Sequence, residues 1–513
     1  MRSIATVGGY TLISRILGFI RDILIAASLG AGPVADAFFV AFKLPNFFRR
    51  LFAEGAFNAA FVPLFTRHMA EGGKEQATAF AEEVLALLVI SLVFFVTALQ
   101  IAMPWVMMVL APGFVSDPER FNLAIAMAQV TFPYLLFVSI VSQLGGVLNA
   151  LNRFASVAAA PIILNLCLIL ALLAFSSTAE AGGQALAWGV AAAGIGQFLW
   201  LIIACHREGF KPRLLFPRLT HRVKRFLALM LPGVIGAGVI QINLLLDIVI
   251  ASLLPRGSIS FLYFADRVCQ LPLGIVGVAI GTALLPLLTR QIRENNPVAA
   301  LHNLNRGIEY ALLLTFPAAV ALMIIPTTII STLFERGEFS QVETFATARA
   351  LIAYAAGLPA YVLIKTLGPG FFAREDTVTP VKIAAFCVVL NLGLNLLLMG
   401  PFLHVGIALA TAISAWINAF LLLFILIRRG HFEVDVRLKK VVPRVLLAVG
   451  LMVVVVEISV SAMAHLGALN GWWQWFSLAV IVGSGVFVFS GAAILFGAAK
   501  LSDLKQMLDR SAR

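Results

Sequence analysis

Long apolar stretches separated by short polar segments run through all 513 residues of the chain. A helix needs about 20 apolar residues to cross the hydrocarbon layer of a membrane. The runs do not show the period-two alternation of outer-membrane barrel strands. The pattern therefore predicts an all-α polytopic membrane protein with fourteen transmembrane helices, approximately at 5–29, 34–53, 80–111, 121–150, 156–177, 184–205, 225–254, 258–289, 305–334, 345–373, 379–400, 403–427, 441–465 and 474–498.

Basic residues indicate how these helices are oriented. An even number of spans places both termini on one side, and most of the 37 Lys and Arg residues lie on that side or within spans. The opposite loops hold only Arg120, Arg256 and Arg336. The positive-inside rule therefore predicts that both termini are cytoplasmic. The net charge of +12 then reflects topology, and no nucleic-acid partner is predicted. Contact with anionic lipid is a second interpretation of the basic run 207–225.

The first half of the chain resembles the second half at an offset near 225. Several short matches occur in the same order, namely Asp22–Leu29 with Asp247–Leu254, Leu44-Pro45 with Leu271-Pro272, Val62–Arg67 with Leu285–Arg290, Leu144-Gly145 with Leu367-Gly368, and Leu164–Leu166 with Leu390–Leu392. Each match alone is weak, because apolar helices often look alike. Their common order and offset predict an internal repeat.

The repeat predicts a division into domains. Six spans per half give both halves the same orientation, so they should form two six-helix lobes in a parallel pseudo-twofold repeat. We assign residues 1–218 to the N-terminal lobe and 219–430 to the C-terminal lobe. Residues 431–513 hold a C-terminal helix pair, spans 13 and 14, without a counterpart in the repeat, and a cytoplasmic tail. A cavity between the lobes is the expected binding place.

The first two spans carry an unusual number of charges. A cation at the bilayer centre costs roughly 2.5–3.5 kcal/mol even on a lenient scale, so a cluster of cations there needs a reason. Three acids can neutralise only part of the positive charge, and the remainder predicts a hydrated cavity for an anionic ligand. The bases are Arg15, Arg21, Lys43, Arg49 and Arg50, and the acids are Asp22, Asp36 and Glu54.

Helical spacing suggests how these charges are arranged. Asp36, Lys43 and Arg50 recur every seven residues and share one face of span 2. Pro45 disturbs that register, so Arg49 remains the alternative to Arg50 as the inward side chain. Asp22 lies two turns beyond Arg15 and is a candidate partner for it.

Span 8 adds Asp266 and Arg267 from the second lobe. Guanidinium groups form bidentate hydrogen bonds with phosphate oxygens, so arginines from both lobes suit a phosphate or pyrophosphate. The alternative is that these charges form structural salt bridges or extend to the membrane surface.

A second candidate site would bind a cation. Asp247 is an intramembrane acid without a basic neighbour in its own span, and oxygen-bearing side chains follow at Asn391, Asn395 and Thr411. These oxygens suit Na⁺, or Asp247 could carry a proton. Hydrogen bonding between helices by a protonated Asp247 is the alternative. No other cofactor and no metal site is predicted, because the four cysteines show no CxxC spacing and the histidines lie in loops or at span ends.

The chain has no motif of a known enzyme class. GxxxxGK[ST], HExxH and GxSxG are all absent from the sequence, so we predict a non-enzyme without catalytic residues. A membrane-embedded glycosyl- or acyltransferase would need catalytic acids or a histidine in a loop. A multidrug or cation antiporter would favour an acidic cavity, whereas the first two spans hold more bases than acids.

Particular motifs carry a family resemblance from about residue 5 to 430. They are Ser14-Arg-Ile-Leu-Gly-Phe-Ile-Arg-Asp22, the stretch Ala35–Phe57, Tyr263-Phe-Ala-Asp-Arg267, Pro369-Gly-Phe-Phe372 and Thr379-Pro-Val-Lys382. They resemble the MurJ (MviN) lipid II flippase family of the multidrug/oligosaccharidyl-lipid/polysaccharide exporter superfamily. That family has two six-helix lobes plus spans 13 and 14, whose groove is thought to hold the lipid tail.

The resemblance implies transport of undecaprenyl-pyrophosphate-linked peptidoglycan precursor from the inner to the outer leaflet of the bacterial cytoplasmic membrane by alternating access, driven by an ion gradient or the membrane potential. Another polyprenyl-pyrophosphate glycan remains the alternative cargo. Lipid II and membrane lipids are the implied partners, and contact with other cell-wall synthesis proteins stays open. An acidic residue found after the span 8 arginine in some members corresponds to Gln270 here. The implied cavity residues are Arg15, Arg21, Asp36, Lys43, Arg49, Glu54, Asp266 and Arg267.

Overall fold

The chain folds into helices, and the computed structural model describes residues 2–50, 55–467, 471 and 473–499. Within these ranges no β-strand is present, and every predicted apolar segment coincides with helix. Nine helices of the described part are long and apolar enough to cross a membrane. The prediction of an all-α multi-pass membrane protein is therefore confirmed, whereas the count of fourteen spans stays a prediction.

Contacts between Cα atoms divide the chain into two compact units. Unit 1 comprises the described residues up to Ser260 together with Arg336–Ser340, and unit 2 comprises Phe261–Glu335 and the described residues from Gln341 onward. The helices before that division are α1 (Arg2–Leu29), α2 (Pro33–Phe48), α3 (Gly55–Ile101), α4 (Met103–Leu110), α5 (Pro118–Thr131), α6 (Tyr134–Ala150), α7 (Phe154–Phe175), α8 (Ala179–Arg207) and α9 (His221–Ser252), with a short 3-10 helix at Pro112–Ser116.

Unit 2 is built from longer helices. Two long helices are interrupted by sharp turns, one at Gly72–Gly73 in α3 of unit 1 and one at Leu403 in unit 2. The turn at Leu403 separates the two segments that the sequence predicted as spans 11 and 12. The helices are α10 (Ser258–Arg293), which begins in unit 1, and α11 (Pro297–Ile324), α12 (Pro326–Phe334), α13 (Gln341–Phe372), α14 (Val378–Arg428), α15 (Val436–His465) and α16 (Trp473–Leu495).

Matching turns in the two units support the internal repeat. The residue Asn152 after α6 has φ 60°, and Glu375 after α13 has φ 61°. The next amide donates to the carbonyl five residues earlier in both places, from Arg153 to Leu148 and from Asp376 to Phe371. The same backbone geometry thus recurs 223 residues later, although the side chains differ. The pseudo-twofold axis and the boundaries at 218 and 430 stay predictions.

The start of α15 has a structural counterpart, which the sequence repeat did not reveal. The N-terminal part of α9 packs against α3 in unit 1, and that of α15 packs against α11 in unit 2. The N-cap residue is bound by the neighbouring helix in both units. Thr220 donates to Glu83 (Oγ1–Oε2 2.7 Å), and the amide of Asp435 donates to Asn305 (N–Oδ1 3.1 Å). The two helix starts therefore dock in a similar way, and the assignment of spans 13 and 14 outside the repeat stays a prediction.

Candidate functional site

Arg21 is held by two polar side chains inside unit 1. Its Nε and Nη2 donate to Oδ1 of Asp22 at 3.0 and 2.7 Å, and its Nη1 donates to Oδ1 of Asn165 in α7 at 2.9 Å. The side chain of Asn165 in turn donates to the carbonyl of Ser14 at 2.9 Å. Arg21 and Asp22 are buried, whereas Arg15 is exposed. Asp22 therefore binds Arg21, and its predicted pairing with Arg15 was wrong.

Asp36 is fully buried at the start of α2 and accepts four hydrogen bonds. Arg120 Nη2 and the amide of Gly257 bind its Oδ2, both at 2.7 Å. The amide and hydroxyl of Ser260 bind its Oδ1 at 2.9 and 2.7 Å. The guanidinium of Arg120 also lies 3.8 Å from the centroid of the Phe114 ring. We call Asp36, Arg120, Gly257 and Ser260 the Asp36 network.

Further contacts join the segments around the Asp36 network within unit 1. Arg256 binds both carboxylate oxygens of Asp117 at 2.7 Å, and this hydrogen bonding holds the pKa of Asp117 below its usual range. The amide of Gly113 donates to Ser252 Oγ at 3.2 Å, and the amide of Glu338 donates to the carbonyl of Ala27 at 2.9 Å. These contacts join the segment before and at the start of α5 to the end of α9 and the residues after it, and join the end of α1 to the segment Arg336–Ser340.

Exposure of the cations increases from Lys43 in α2 to Arg50, which lies two residues past the end of that helix. Lys43 and Arg49 are half-buried, and Arg50 is exposed. Arg49 Nε donates to Asn46 Oδ1 at 3.2 Å. The choice between Arg49 and Arg50 as the inward residue stays open, and Glu54 lies outside the described residues.

The charged candidates of unit 2, Asp266 and Arg267, lie on α10, and Lys365 of α13 lies next to that helix. Arg267 is half-buried, donates to the Tyr263 hydroxyl at 2.9 Å and lies 4.8 Å from the centroid of that ring. Asp266 accepts a hydrogen bond from Gln270, the residue at which some relatives were expected to have an acid. Lys365 covers Gly277, where an added Cβ would lie 3.0 Å from the lysine Cδ.

The proposed cation ligands are divided between the units. Asn395 Nδ2 donates to Asn391 Oδ1 at 3.1 Å inside unit 2, and both side chains are buried. Thr411 Oγ1 donates to the carbonyl of Ile407 at 3.0 Å. Asp247 is half-buried in unit 1. Among the described residues, no group of three or more His, Cys, Asp or Glu is suited to a metal. The cation site stays a prediction.

Sequence reasoning did not assign a role to Arg120 or Lys365. Arg120 was counted only as one of three basic residues in the opposite loops, and that rarity was the available signal. Lys365 lies within the predicted span 345–373, but no spacing argument connected it to α10. The structure places the first on Asp36 and the second on Gly277.

The sequence as a whole matches known flippases. A family model described as lipid II flippase MurJ matches residues 25–478. A probable lipid II flippase MurJ of Rhizobium meliloti (strain 1021) is 42% identical over 519 residues, which cover 100% of this chain and 97% of that protein. This chain belongs to the MurJ family. The resemblance noted from the motifs is therefore confirmed.

Solved structures agree with membership in the MurJ family. A lipid II flippase MurJ in an inward closed conformation matches with a TM-score of 0.79 and 26% identity, covering 96% of this chain and 98% of that one. An inward-facing multidrug resistance MATE transporter of the MOP superfamily matches with a TM-score of 0.65 and 16% identity, covering 83% and 96%. The second likeness shows the fold alone.

Proposed function

We propose that this chain is a lipid II flippase, which moves the undecaprenyl-pyrophosphate-linked peptidoglycan precursor from the inner to the outer leaflet of the bacterial cytoplasmic membrane. The family match over residues 25–478 carries this proposal, supported by a MurJ structure that matches nearly end to end. The function is transport and requires no catalytic residue. The family's role in peptidoglycan biosynthesis follows from the cargo.

The intramembrane arginines are the groups that we assign to the pyrophosphate. Arg21 in α1 and Arg267 in α10 are each oriented by neighbouring polar groups, and an oriented guanidinium loses little freedom when it binds phosphate oxygens. Arg15, exposed on the same helix as Arg21, adds a further cation. Lys43, Arg49 and Arg50 complete this set of cations. The acids Glu54, Asp266 and, in a state in which it leaves its present partners, Asp36 are assigned to the substrate-binding cavity and not to the pyrophosphate itself.

The transport cycle proposed here is alternating access, and the Asp36 network is its gate. A buried Asp–Arg pair with all four carboxylate bonds made is a discrete arrangement that must break as a whole. The positive-inside rule places this end of unit 1 on the outer side and both termini in the cytoplasm. An ion gradient or the membrane potential drives the cycle, with Na⁺ or a proton at Asp247, Asn391, Asn395 and Thr411.

Translocation between leaflets in reconstituted vesicles tests the cargo. We expect transport of lipid II and slower transport of other undecaprenyl-pyrophosphate glycans, and no transport of an organic cation. Equal rates for all glycans would replace lipid II by a broader cargo class. Transport of the organic cation alone would show a multidrug antiporter and would refute the proposal.

Two substitutions in α10 test the role assigned to arginine. Arg267→Ala removes a half-buried guanidinium and should abolish lipid II transport, whereas Arg290→Ala removes an exposed one, bound to Glu294 at 2.8 Å, and should leave transport unchanged. Equal amounts of folded protein in the vesicles are required for the comparison. Full transport by the Arg267→Ala variant would contradict the assignment.

A further inference from the structure

The connection between α8 and α9 exposes apolar side chains among basic ones. Residues 210–219 form no helix, and Leu214, Leu215 and Phe216 are 66%, 45% and 91% exposed. No acid occurs from Gly209 to Arg225, a stretch that also holds Lys211, Arg213, Arg218, Arg222, Lys224 and Arg225. Pro212 and Pro217 limit the backbone around the exposed residues and disfavour helix there. We call residues 209–220 the basic connection.

The basic connection is fixed to α3 at both ends, so its exposed side chains have a defined position. Phe210 is buried in the core of unit 1. The amide of Arg213 donates to Glu82 Oε1 at 2.9 Å, and Thr220 binds Glu83. The groups that hold the connection are the Arg213 amide, the Thr220 hydroxyl and the Phe210 ring. The side chains of Leu214, Leu215 and Phe216 take no part in these contacts and remain exposed.

Unit 2 shows that a much shorter connection is sufficient. Gly430 after α14 has the same φ of 70° as Gly209 after α8, and each is followed by an amide that donates back to the helix. Phe432 is buried, as Phe210 is, and Asp435 already caps α15. The counterpart therefore spans only residues 430–435 and includes acids. Joining two helices does not require the basic and apolar residues that unit 1 adds.

The position of the basic connection along the chain places it at a membrane surface. Helix α8, Ala179–Arg207, is long and apolar enough to cross the bilayer and ends two residues before the connection begins. Basic side chains at that depth attract anionic headgroups, while neighbouring apolar side chains enter the boundary with the acyl chains. The side on which Lys and Arg accumulate is the cytoplasmic one.

We propose that the basic connection binds the anionic phospholipid surface of the cytoplasmic leaflet through Lys211, Arg213 and Arg218, with Leu214, Leu215 and Phe216 inserted among the lipids. The charge of the segment and its unpartnered apolar side chains favour this surface over a protein partner. The contact anchors the link between the two repeats at a fixed depth. This inference depends on the membrane location of the chain and not on its cargo.

A spin label measures the depth of the connection without measuring transport. Cys205, Cys269 and Cys387 are buried, so we would replace only Cys167 with serine and label Leu214→Cys in the full-length protein. Vesicles contain phosphatidylcholine alone or an equal mixture with phosphatidylglycerol. The ratio of relaxation by oxygen to relaxation by a water-soluble nickel chelate reports insertion. The matched control is a label at Glu433→Cys, exposed in the short connection of unit 2.

We expect a higher oxygen-to-nickel ratio at 214 than at 433 in phosphatidylglycerol vesicles, and a decrease at 214 in phosphatidylcholine or high salt. The combined variant Lys211→Gln, Arg213→Gln and Arg218→Gln should lower the equilibrium constant between the free and the lipid-bound state of the basic connection on the order of 100-fold. Equal ratios at 214 and 433 would overturn the proposal. Insertion that does not depend on lipid charge would also overturn it. A label at 214 that neither oxygen nor the nickel chelate reaches would show a protein contact instead of a lipid contact.

Discussion

The two units build the same ion pair with opposite signs. In unit 1, Arg153 in the turn after α6 binds Glu208 at the end of α8 (Nε–Oε1 3.0 Å). In unit 2, Asp376 in the matching turn binds Arg429 at the end of α14 (Oδ2–Nη1 2.6 Å). The base and the acid have exchanged places. The repeat therefore preserves the attraction between these two elements, and either order of charges provides it.

The cores of the units differ in the same manner. Unit 1 places Phe61 and Phe65 in its core, and unit 2 has Leu284 and Leu288 at the positions 223 residues later. In the other direction, Leu148 of unit 1 corresponds to Phe371 of unit 2. Buried volume is thus redistributed between facing helices, as expected where packing density rather than residue identity is constrained.

The two units differ more strongly in how α9 docks on α3 and α15 docks on α11. In unit 1, a single neutral donor, Thr220, binds Glu83. In unit 2, Glu309 is buried on α11, where Arg437 of α15 binds its Oε1 at 2.8 Å and Arg306 forms a second ion pair with it. Arg306 also binds Asp435. We therefore expect α15 to depend on charge, and α9 to depend mainly on apolar packing.

The largest predicted effect comes from removing the acid at the centre of the unit 2 cluster. Glu309→Leu leaves Arg306 and Arg437 near one another without their shared carboxylate and should destabilise unit 2 by about 3–5 kcal/mol. Glu83→Leu in unit 1 should cost about 1 kcal/mol, because it removes one hydrogen bond. Exposure of the Cys387 thiol on heating reports the unfolding of unit 2, and exposure of the Cys205 thiol reports that of unit 1, because each cysteine lies in the core of its unit.

The control for this comparison is the triple change Glu309→Leu, Arg306→Leu and Arg437→Leu. A well-packed apolar group can replace a buried ionic cluster with little loss, so the triple variant should recover most of the stability lost by Glu309→Leu. Equal losses for Glu309→Leu and Glu83→Leu would contradict the proposed difference between the docking sites.

The apolar segments could be predicted from the sequence, because membrane thickness requires long runs of apolar residues. The internal repeat was also predicted, from several weak matches that kept one offset, and the matching turns after α6 and α13 support it. The counterpart of α15 was not, since α9 and α15 share a position rather than a sequence motif. Docking at equivalent places through Glu83 in one unit and Asn305 in the other leaves no common pattern to recognise.

The candidate charges could be found from the sequence, but their partners could not. Asp36 stood out as an intramembrane acid, yet Arg120 lies 84 residues away in the chain. Helical spacing suggested Arg15 for Asp22, because residues one turn or two turns apart share a face. The long side chain of Arg21 instead reaches its adjacent residue. Tertiary contacts of this kind depend on how helices pack and leave no periodic signal.

The acid of the reversed ion pair predicts a dependence on pH in unit 2. Hydrogen bonds from the Thr379 side chain and amide, together with Arg429, hold the pKa of Asp376 below its usual range. A depressed folded-state pKa adds stability above the unfolded value near 3.9, and this stability is lost as the pH falls through the folded value. Asp376→Asn should therefore lower the free energy of unfolding by about 1 kcal/mol at neutral pH.

Thermal unfolding over a series of pH values measures this effect. The difference between the wild type and Asp376→Asn should shrink as the pH falls below about 4. Glu375→Gln, at the exposed neighbouring residue, is the matched control and should show little difference at any pH. A constant difference for Asp376→Asn down to strongly acidic pH would show that the effect is not one of ionisation.

The smallest predicted effect tests whether either order of charges is sufficient. Arg153→Glu in unit 1 faces Glu208 with a like charge, and Glu208→Arg faces Arg153 in the same way. The double variant copies the order found at Asp376 and Arg429. Because the Arg153 side chain is 60% exposed, we expect a coupling energy of only about 0.2–1 kcal/mol, measured as a double-mutant cycle on the thermal exposure of Cys205. Each single variant should lose stability and the double variant should regain it. Additive losses would mean that unit 1 depends on the particular positions of its charges. Lys74, whose Nζ lies 3.2 Å from the Glu208 carbonyl, would then explain the preference for an acid at residue 208.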